Sequence, residues 1–440
     1  MNTFRLLPLT LALGVALALP AQAQSLVALY ESARAFDASY QSVKSLYDST
    51  LAKSEQARAG TLHTIGLGAN ASLSTIDNTL SKSKQGFYDS QSATLSASKP
   101  LYRPANQITF DQSKRQIEVV AQQLLAAEQD LIVKVSTAYF DVLASQDSLT
   151  FLLAQKAAVS EQLASAKRNF EVGTATITDT REAQARYDLV IAQEIAGRND
   201  LQVKKLALDQ LVGKANTAPQ AVALPLTLPP VQPDDVNAWV QRSDEQHPAI
   251  VQSRLALDVA QLETRKAQTG TKPTLDLTGS LNMALNGGTA SADSSYRTTV
   301  ASVGLSFNMP LFSGYAIENR IKETLALEDK ARSDLDAVKR TVAQGSRAAF
   351  FGLLSGQGQV KALEAAEASS QSALDANKLG YQVGVRINID VLNSQSQLFD
   401  TKAKLAKARY DVLVGGLKLR QASGVLKAED LNPINALLVK

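Results

Sequence analysis

The chain has 440 residues, with 45 Lys and Arg against 42 Asp and Glu, and the resulting formal net charge of +3 provides no strongly basic surface for nucleic acid. It contains no cysteine, which excludes disulfides, thiolate metal sites and a lipidated N-terminal cysteine. Alanine, leucine, serine and glutamine are the most frequent residues, with a single Trp, which is the usage of long helices rather than of a thick aromatic core.

Residues 1–23 read as an export signal outside the mature fold. A basic Arg5 precedes an apolar stretch from Leu6 to Pro20, and Ala21-Gln22-Ala23 fits a small-x-small cleavage site. The apolar stretch is shorter than the ~20 residues a membrane-crossing helix needs, and Pro20 closes it. No later apolar run is longer, so membrane insertion would require a β-barrel.

Strand-like writing appears around residues 63–75, where Ile65, Leu67, Ala69, Ala71 and Leu73 alternate with Gly66, Gly68, Asn70, Ser72 and Ser74. A period of two with one apolar and one small or polar face is the pattern of an outer-membrane strand. A second such segment covers 92–101. The second half repeats the pattern in Leu275, Leu277, Gly279, Leu281 and Met283, and again in Thr299, Ala301, Val303, Leu305, Phe307 and Met309. The Ser, Asp, Asn and Gly-rich stretches 76–91 and 286–297 read as exposed loops. Phe87, Tyr88 and Tyr296 near the loop ends, and Tyr102, Phe312 and Tyr315 at the other ends, are placed as interfacial aromatic girdles.

From Ile117 the series Ile117, Ala121, Leu124, Glu128, Leu131, Val135, Ala138, Val142 steps by alternating four and three, as a coiled-coil seam does, with Glu128 as its polar exception. Nothing between Ala105 and Glu171 breaks a helix, which predicts a rod on the order of 100 Å long. The counterpart from Tyr315 to Leu379 carries Gly345, Gly352, Gly356 and Gly358 and predicts a helix that is locally looser or more closely packed.

These segments repeat. Phe170-Glu171-Val172-Gly173 with Asp179 faces Tyr381-Gln382-Val383-Gly384 with Asp390 at a constant spacing of 211 residues, and Tyr139-Phe140 and Gly213 map likewise onto Phe350-Phe351 and Gly424. So long a period marks a duplicated domain-sized unit rather than a solenoid. The expected organisation is a first repeat over 24–212 with its hairpin at 62–101, a proline-rich linker over 213–235, a second repeat over 236–424 with its hairpin at 273–310, and a tail over 425–440. Four strands cannot close a membrane barrel, which needs at least eight. Two copies would fill the lumen with side chains, whereas three give twelve strands and a passage.

The residues Thr137-Ala138-Tyr139-Phe140-Asp141-Val142-Leu143, Val172-Gly173 with Ile177-Thr178-Asp179, Pro273-Thr274-Leu275-Asp276-Leu277-Thr278, Val303-Gly304-Leu305-Ser306-Phe307, and Val383-Gly384 with Arg386 and Asp390-Val391-Leu392 together resemble the TolC-type outer-membrane efflux and secretion channels over essentially the whole mature chain. The resemblance implies an α+β membrane channel in which a homotrimer forms a twelve-stranded β-barrel in outer-membrane lipid, continued by a twelve-helix barrel across the periplasm. An equatorial collar of irregular and short helical pieces would come from the proline-rich linker and the tail. The implied partners are a periplasmic adaptor and an inner-membrane transporter, ABC-type or proton-driven. No cofactor is implied.

The same resemblance places Val172, Gly173, Val383 and Gly384 at the periplasmic tip that an adaptor contacts. It places Asp390 at the narrowest part of the pore, where three copies form a cation-attracting ring. The family often carries a second aspartate three residues on, where this chain has Asn393, which weakens the field there. From the residues alone, Asp390 also reads as an N-terminal helix cap like its repeat mate Asp179. Tyr381 and Arg386 match residues that lock the closed tip onto positions equivalent to Thr178 and Asp179.

Nothing supports catalysis. His63 and His247 stand far apart without ligand spacing and read as bystanders, no nucleophile elbow, phosphate loop or zinc motif occurs, and Gly356-Gln357-Gly358 lies inside an expected helix. The alternative function is a passive periplasmic coiled-coil spacer or surface-structural protein, which accounts for the seam and the export signal but not for paired strands at matched places in both halves. The cargo is not legible, and type I protein secretion and drug efflux both stand, with the resemblance leaning slightly to type I secretion or shared use.

Overall fold

A computed structural model describes residues 24–75, 87–223, 225–287 and 294–439. The export signal and most of the first loop therefore lie outside the described residues. The elements come in two matched sets. Helices α1 (Leu26–Phe36) and α2 (Ala38–Ala59) lead into strands β1 (Thr64–Thr75) and β2 (Phe87–Tyr102), then α3 (Pro104–Glu171) and α4 (Ile177–Val212). The second set is α5 (Val236–Gln246), α6 (Pro248–Gln268), β3 (Thr274–Asn286), β4 (Tyr296–Asn308), α7 (Ala316–Gln382) and α8 (Asn388–Ala422), and a short α9 (Leu431–Asn435) closes the chain.

Matching starts are capped in matching ways. The Asp37 carboxylate accepts from the Tyr40 N–H at 2.8 Å to begin α2, and His247 Nδ1 accepts from the Ala249 N–H at 3.2 Å to begin α6. His247 therefore has a structural part that its isolation in the sequence conceals, and burial holds its imidazole below the usual histidine range. Matching ends are also alike, since Gly213 and Gly424 adopt φ of +71° and +76° as α4 and α8 stop. A Cβ on Gly213 would sit 2.4 Å from the Phe36 ring, and one on Gly424 would sit 2.3 Å from the His247 Cα, so glycine is required for packing as well.

The four strands form one antiparallel sheet in the order β1-β2-β3-β4, so the two halves of the chain join through β2 and β3. The strand β2 begins at Phe87, earlier than the loop reading of 76–91 allows, because residues 87–91 pair with 71–75 of β1. Register sorts the faces. Ile65, Leu67, Leu73, Leu95, Met283, Leu285, Val303, Leu305 and Phe307 share one face and are all exposed. That apolar face fits lipid. The other face carries Ser96, Ser98, Thr94, Thr278, Ser280, Asn282, Ser302 and Gly304, tied by bonds such as Ser280 to Ser302 at 2.9 Å and Asn282 Nδ2 to the Thr94 hydroxyl at 2.8 Å. Tyr296 pairs with Asn286 and falls on this polar face, so it does not join a lipid-side girdle; Phe87 and Tyr102 have the lipid-facing parity.

Unbroken for 68 residues, α3 is the central rod, packed by α2, α4, α6 and α8. Its seam is buried or half-buried from Ile117 to Val142, and Glu128 is explained by the Tyr30 hydroxyl donating to it at 3.0 Å and Arg34 pairing with it at 3.3 Å. The helix α7 is unbroken too. Of the four glycines singled out in the sequence, Gly356 is closely packed, where an added Cβ would lie 3.2 Å from Val412, and Gly345, Gly352 and Gly358 face open space. The main core lies halfway down the rod, around Tyr139, Phe140, Leu143, Leu208 and Leu417. There the linker and tail wrap α3: the Tyr139 hydroxyl donates to the Gln220 carbonyl at 2.8 Å, and Gln129 Nε2 donates to the carbonyls of Gly424 and Leu426.

Candidate functional site

At the end of the rods farthest from the sheet, two helical hairpins reverse in the same way. In the first turn Gly173 has φ +79°, and the N–H groups of Thr174 and Ala175 both reach the Asn169 carbonyl. In the second, Gly384 has φ +78°, and the N–H groups of Val385 and Arg386 both reach the Gly380 carbonyl at 2.8 and 3.0 Å. A non-glycine residue would be strained at either left-handed position. The apolar side chains at the turns point outward: Val172 is 72% exposed, Val383 65% and Val385 78%.

The helix starts beyond the two turns differ. The Thr176 hydroxyl accepts from the Asp179 N–H at 3.2 Å while the Asp179 carboxylate accepts from the Thr176 N–H at 2.9 Å, a reciprocal capping box on α4. The position matching Thr176 is Ile387, which has no hydroxyl, so α8 starts without a side-chain cap. Asp390 is thereby left out of capping, and its carboxylate lies 3.7 Å from Arg386 Nη1. The Arg386 stem folds across Gly380, where an added Cβ would come within 2.7 Å of the Arg386 Cγ.

Of the residues expected to form the lock, Tyr381 accepts at its hydroxyl from Asn169 Nδ2 at 3.3 Å, which ties the second hairpin to the first. Thr178 is exposed, and Asp179 is engaged with Thr176. Among the described residues of one chain, neither Tyr381 nor Arg386 is bonded to Thr178 or Asp179. Asn393 accepts from the Arg186 guanidinium of α4, so the residue standing in for a second aspartate has a cation as its neighbour. Asn388 is buried and accepts from Gln162, while its Nδ2 has no partner among the described residues.

Apolar contact holds the hairpins side by side, with Leu392 of α8 seated among Leu163, Ala166, Ala183 and Val190 of α3 and α4. Higher on the first hairpin, Glu194 takes Lys156 at 2.7 Å and Arg198 at 2.7 Å, and these hydrogen bonds hold its carboxyl below the usual carboxylate range. The pairings Asn169 with Tyr381 and Arg186 with Asn393 escaped sequence reasoning. Each joins residues more than 200 positions apart, and nothing in local spacing signals them.

A sheet with one lipid-facing and one hydroxyl-lined face, continued by helical hairpins that end in glycine turns, defines a subunit of an outer-membrane channel that extends into the periplasm. The outer membrane efflux protein family profile matches residues 21–214 and 239–425, one stretch in each repeat, and the chain belongs to that family. It is 31% identical to Outer membrane protein TolC of Escherichia coli (strain K12) over 99% of this chain and 90% of that protein. It is equally similar to Outer membrane protein TolC of Vibrio cholerae, at 31% over 98% of each chain. Alkaline protease secretion protein AprF of Pseudomonas aeruginosa is 32% identical over 80% of this chain and 73% of that one. The fold matches the crystal structure of a membrane protein from Pseudomonas aeruginosa with a TM-score of 0.80 at 19% identity, covering 92% of this chain and 98% of that one. It also matches VceC of Vibrio cholerae with a TM-score of 0.76 at 18% identity, covering 91% and 96%. The channel reading thus displaces the spacer alternative.

Proposed function

We propose that three copies of this chain, each exported by removal of residues 1–23, form a twelve-stranded barrel and a helical duct that carries cargo out of the cell with a periplasmic adaptor and an inner-membrane transporter. The observation that carries this reading is the sheet, whose β1 and β4 each present an unpaired edge among the described residues. An open edge is untenable in hydrocarbon, so other copies must complete the barrel. Three copies supply four strands each and leave a passage. The half-covered α7 supports the same arrangement, since Phe351 is 57% exposed on its flank in a single chain.

In this reading the exposed turns at Val172, Gly173, Val383 and Gly384 dock the adaptor, and Asp390 lines the constriction. Asp390 suits that task because capping does not occupy it. Arg386 and Tyr381 act with Thr178 and Asp179 as the lock between hairpins of adjacent subunits, which accords with their being apart within one chain. The protein performs no chemical step of its own and needs no cofactor. Similarity to a protease secretion protein and to efflux channels supports both type I secretion and multidrug efflux as routes.

The test is single-channel conductance in a planar lipid bilayer. The intact protein gives a small, steady conductance, Asp390→Ala changes its cation preference, and Arg386→Ser raises the open level. Folded protein without conductance would overturn the duct, and an Asp390→Ala trace identical to the parent would remove Asp390 from the constriction.

A further inference from the structure

Three chain crossings meet beneath the two central strands: the turn after α2 at residues 60–61, the corner from β2 into α3 at 100–108, and the end of α6 up to Lys272. They enclose a groove of about 730 Å³. Its membrane-side lip is Leu101 and Tyr102, respectively 49% and 46% exposed. A bulge between Pro100 and Tyr102 sets Tyr102 opposite Leu275, which in turn pairs with Phe307, so the lip is continuous with the last lipid-facing row of the sheet. The groove thus opens at the level where the hydrocarbon ends and headgroups begin, on the periplasmic side.

The opposite wall is cationic. Arg265 and Lys272 are exposed, and neither has an ion-pair partner among the described residues. Their neighbours differ in this respect, because Lys266 and Arg320 share Glu263, and Arg103 is held by Asp276 through a two-pronged bond at 2.8 and 2.5 Å. Among the described residues, no acidic side chain lines the groove. Two uncompensated cations beside an aromatic and apolar lip are complementary to an amphiphile with an anionic head.

We propose that this groove seats an anionic glycerophospholipid of the periplasmic leaflet, with its phosphate between Arg265 and Lys272 and its acyl chains rising past Leu101 and Tyr102 along Leu275 and Phe307. Most of its lining lies under β2 and β3, which pair within one chain, rather than under the β1 and β4 edges that neighbouring copies complete. The Arg103–Asp276 pair fixes the corner of the groove and leaves the other two cations to the lipid.

The test uses the assembled protein in nanodiscs of phosphatidylcholine with a minor share of phosphatidylglycerol. The readout is phosphatidylglycerol retained per chain by native mass spectrometry. The R265Q/K272Q variant is expected to retain at least fivefold less than the parent, while Lys167→Gln, near the far tip, retains as much as the parent. The charge-conserving pair Arg265→Lys and Lys272→Arg restores retention. Equal retention in R265Q/K272Q overturns the proposal. Displacement of the lipid by soluble glycerol phosphate at matched concentration also overturns it, since the site would then be one for free anions. If the double variant fails to assemble, R265Q and K272Q measured singly must each lower retention, and no loss in either overturns the site.

Discussion

The two hairpin turns at the tip have the same backbone and different side-chain duties. Asp179 and Asp390 are repeat mates, each the third residue of its helix, yet only Asp179 is engaged in capping. One substitution in the repeat accounts for this, since Thr176 provides a hydroxyl and Ile387 does not. A duplicated aspartate that caps in the first half is therefore free in the second, and the freed carboxylate is the one that the channel reading places in the pore. The rods differ in the same sense. Tyr139-Phe140 of α3 are both buried, whereas in the matching Phe350-Phe351 of α7 the second ring is exposed, because α3 is surrounded within its own chain and α7 awaits a neighbour.

The comparison breaks most severely at the glycines that end α4 and α8. Gly424→Ala should cost several kcal/mol, from the left-handed backbone at about 1–2 kcal/mol plus a clash with the His247 main chain that cannot swing aside. Gly213→Ala should cost less, because the obstructing Phe36 ring can rotate. Apparent melting temperatures of the assembled variants rank the two, and a Gly213→Ala variant that is the less stable would refute the ordering.

Exchanging the caps tests the tip itself. Thr176→Val should weaken the start of α4 by about 1 kcal/mol, read as roughly fivefold faster hydrogen exchange at residues 177–180. Ile387→Thr should do the converse at 388–391 and draw Asp390 into a capping box, so that the variant conducts more like Asp390→Ala. Slower exchange without any change in conductance would count against the pore position proposed for Asp390.

A smaller asymmetry concerns acid. At the spacing of the matched caps Asp37 and His247, Glu263 of α6 corresponds to Lys53 of α2, so the half-buried carboxylate at this position belongs to the second half alone. Burial alone would raise the Glu263 carboxyl, but hydrogen bonds from Lys266, Gln112 and Arg320 outweigh it and hold the group at about 2 against 4.5 in the unfolded chain. A depressed value stabilises the fold above pH 4.5, and that contribution is lost as pH falls toward 2. Glu263→Gln should flatten the decline of melting temperature over this window; an unchanged slope would assign the acid sensitivity elsewhere.

Much of the architecture was legible because it is periodic. Alternation over Ile65–Leu73 gave a strand with a lipid face, the four-three seam from Ile117 gave the rod, and the constant 211-residue spacing gave the duplication, since each depends on residues close in sequence or on a simple translation. Strand ends were less legible: polar Asp89, Ser90 and Gln91 look like loop residues, and only pairing with β1 makes them strand.

The sequence by itself thus determined which segments are strands and which are rods, that the unit occurs twice, and where glycine must reverse the chain. Tertiary structure alone decided that the halves join through β2 and β3, that Arg103 meets Asp276 and Arg186 meets Asn393, and that Asp390 escapes the capping that engages Asp179. The reason is range. Periodicity and turn chemistry act between neighbours in the chain, whereas pairing across hundreds of residues depends on register and packing geometry that no local pattern encodes.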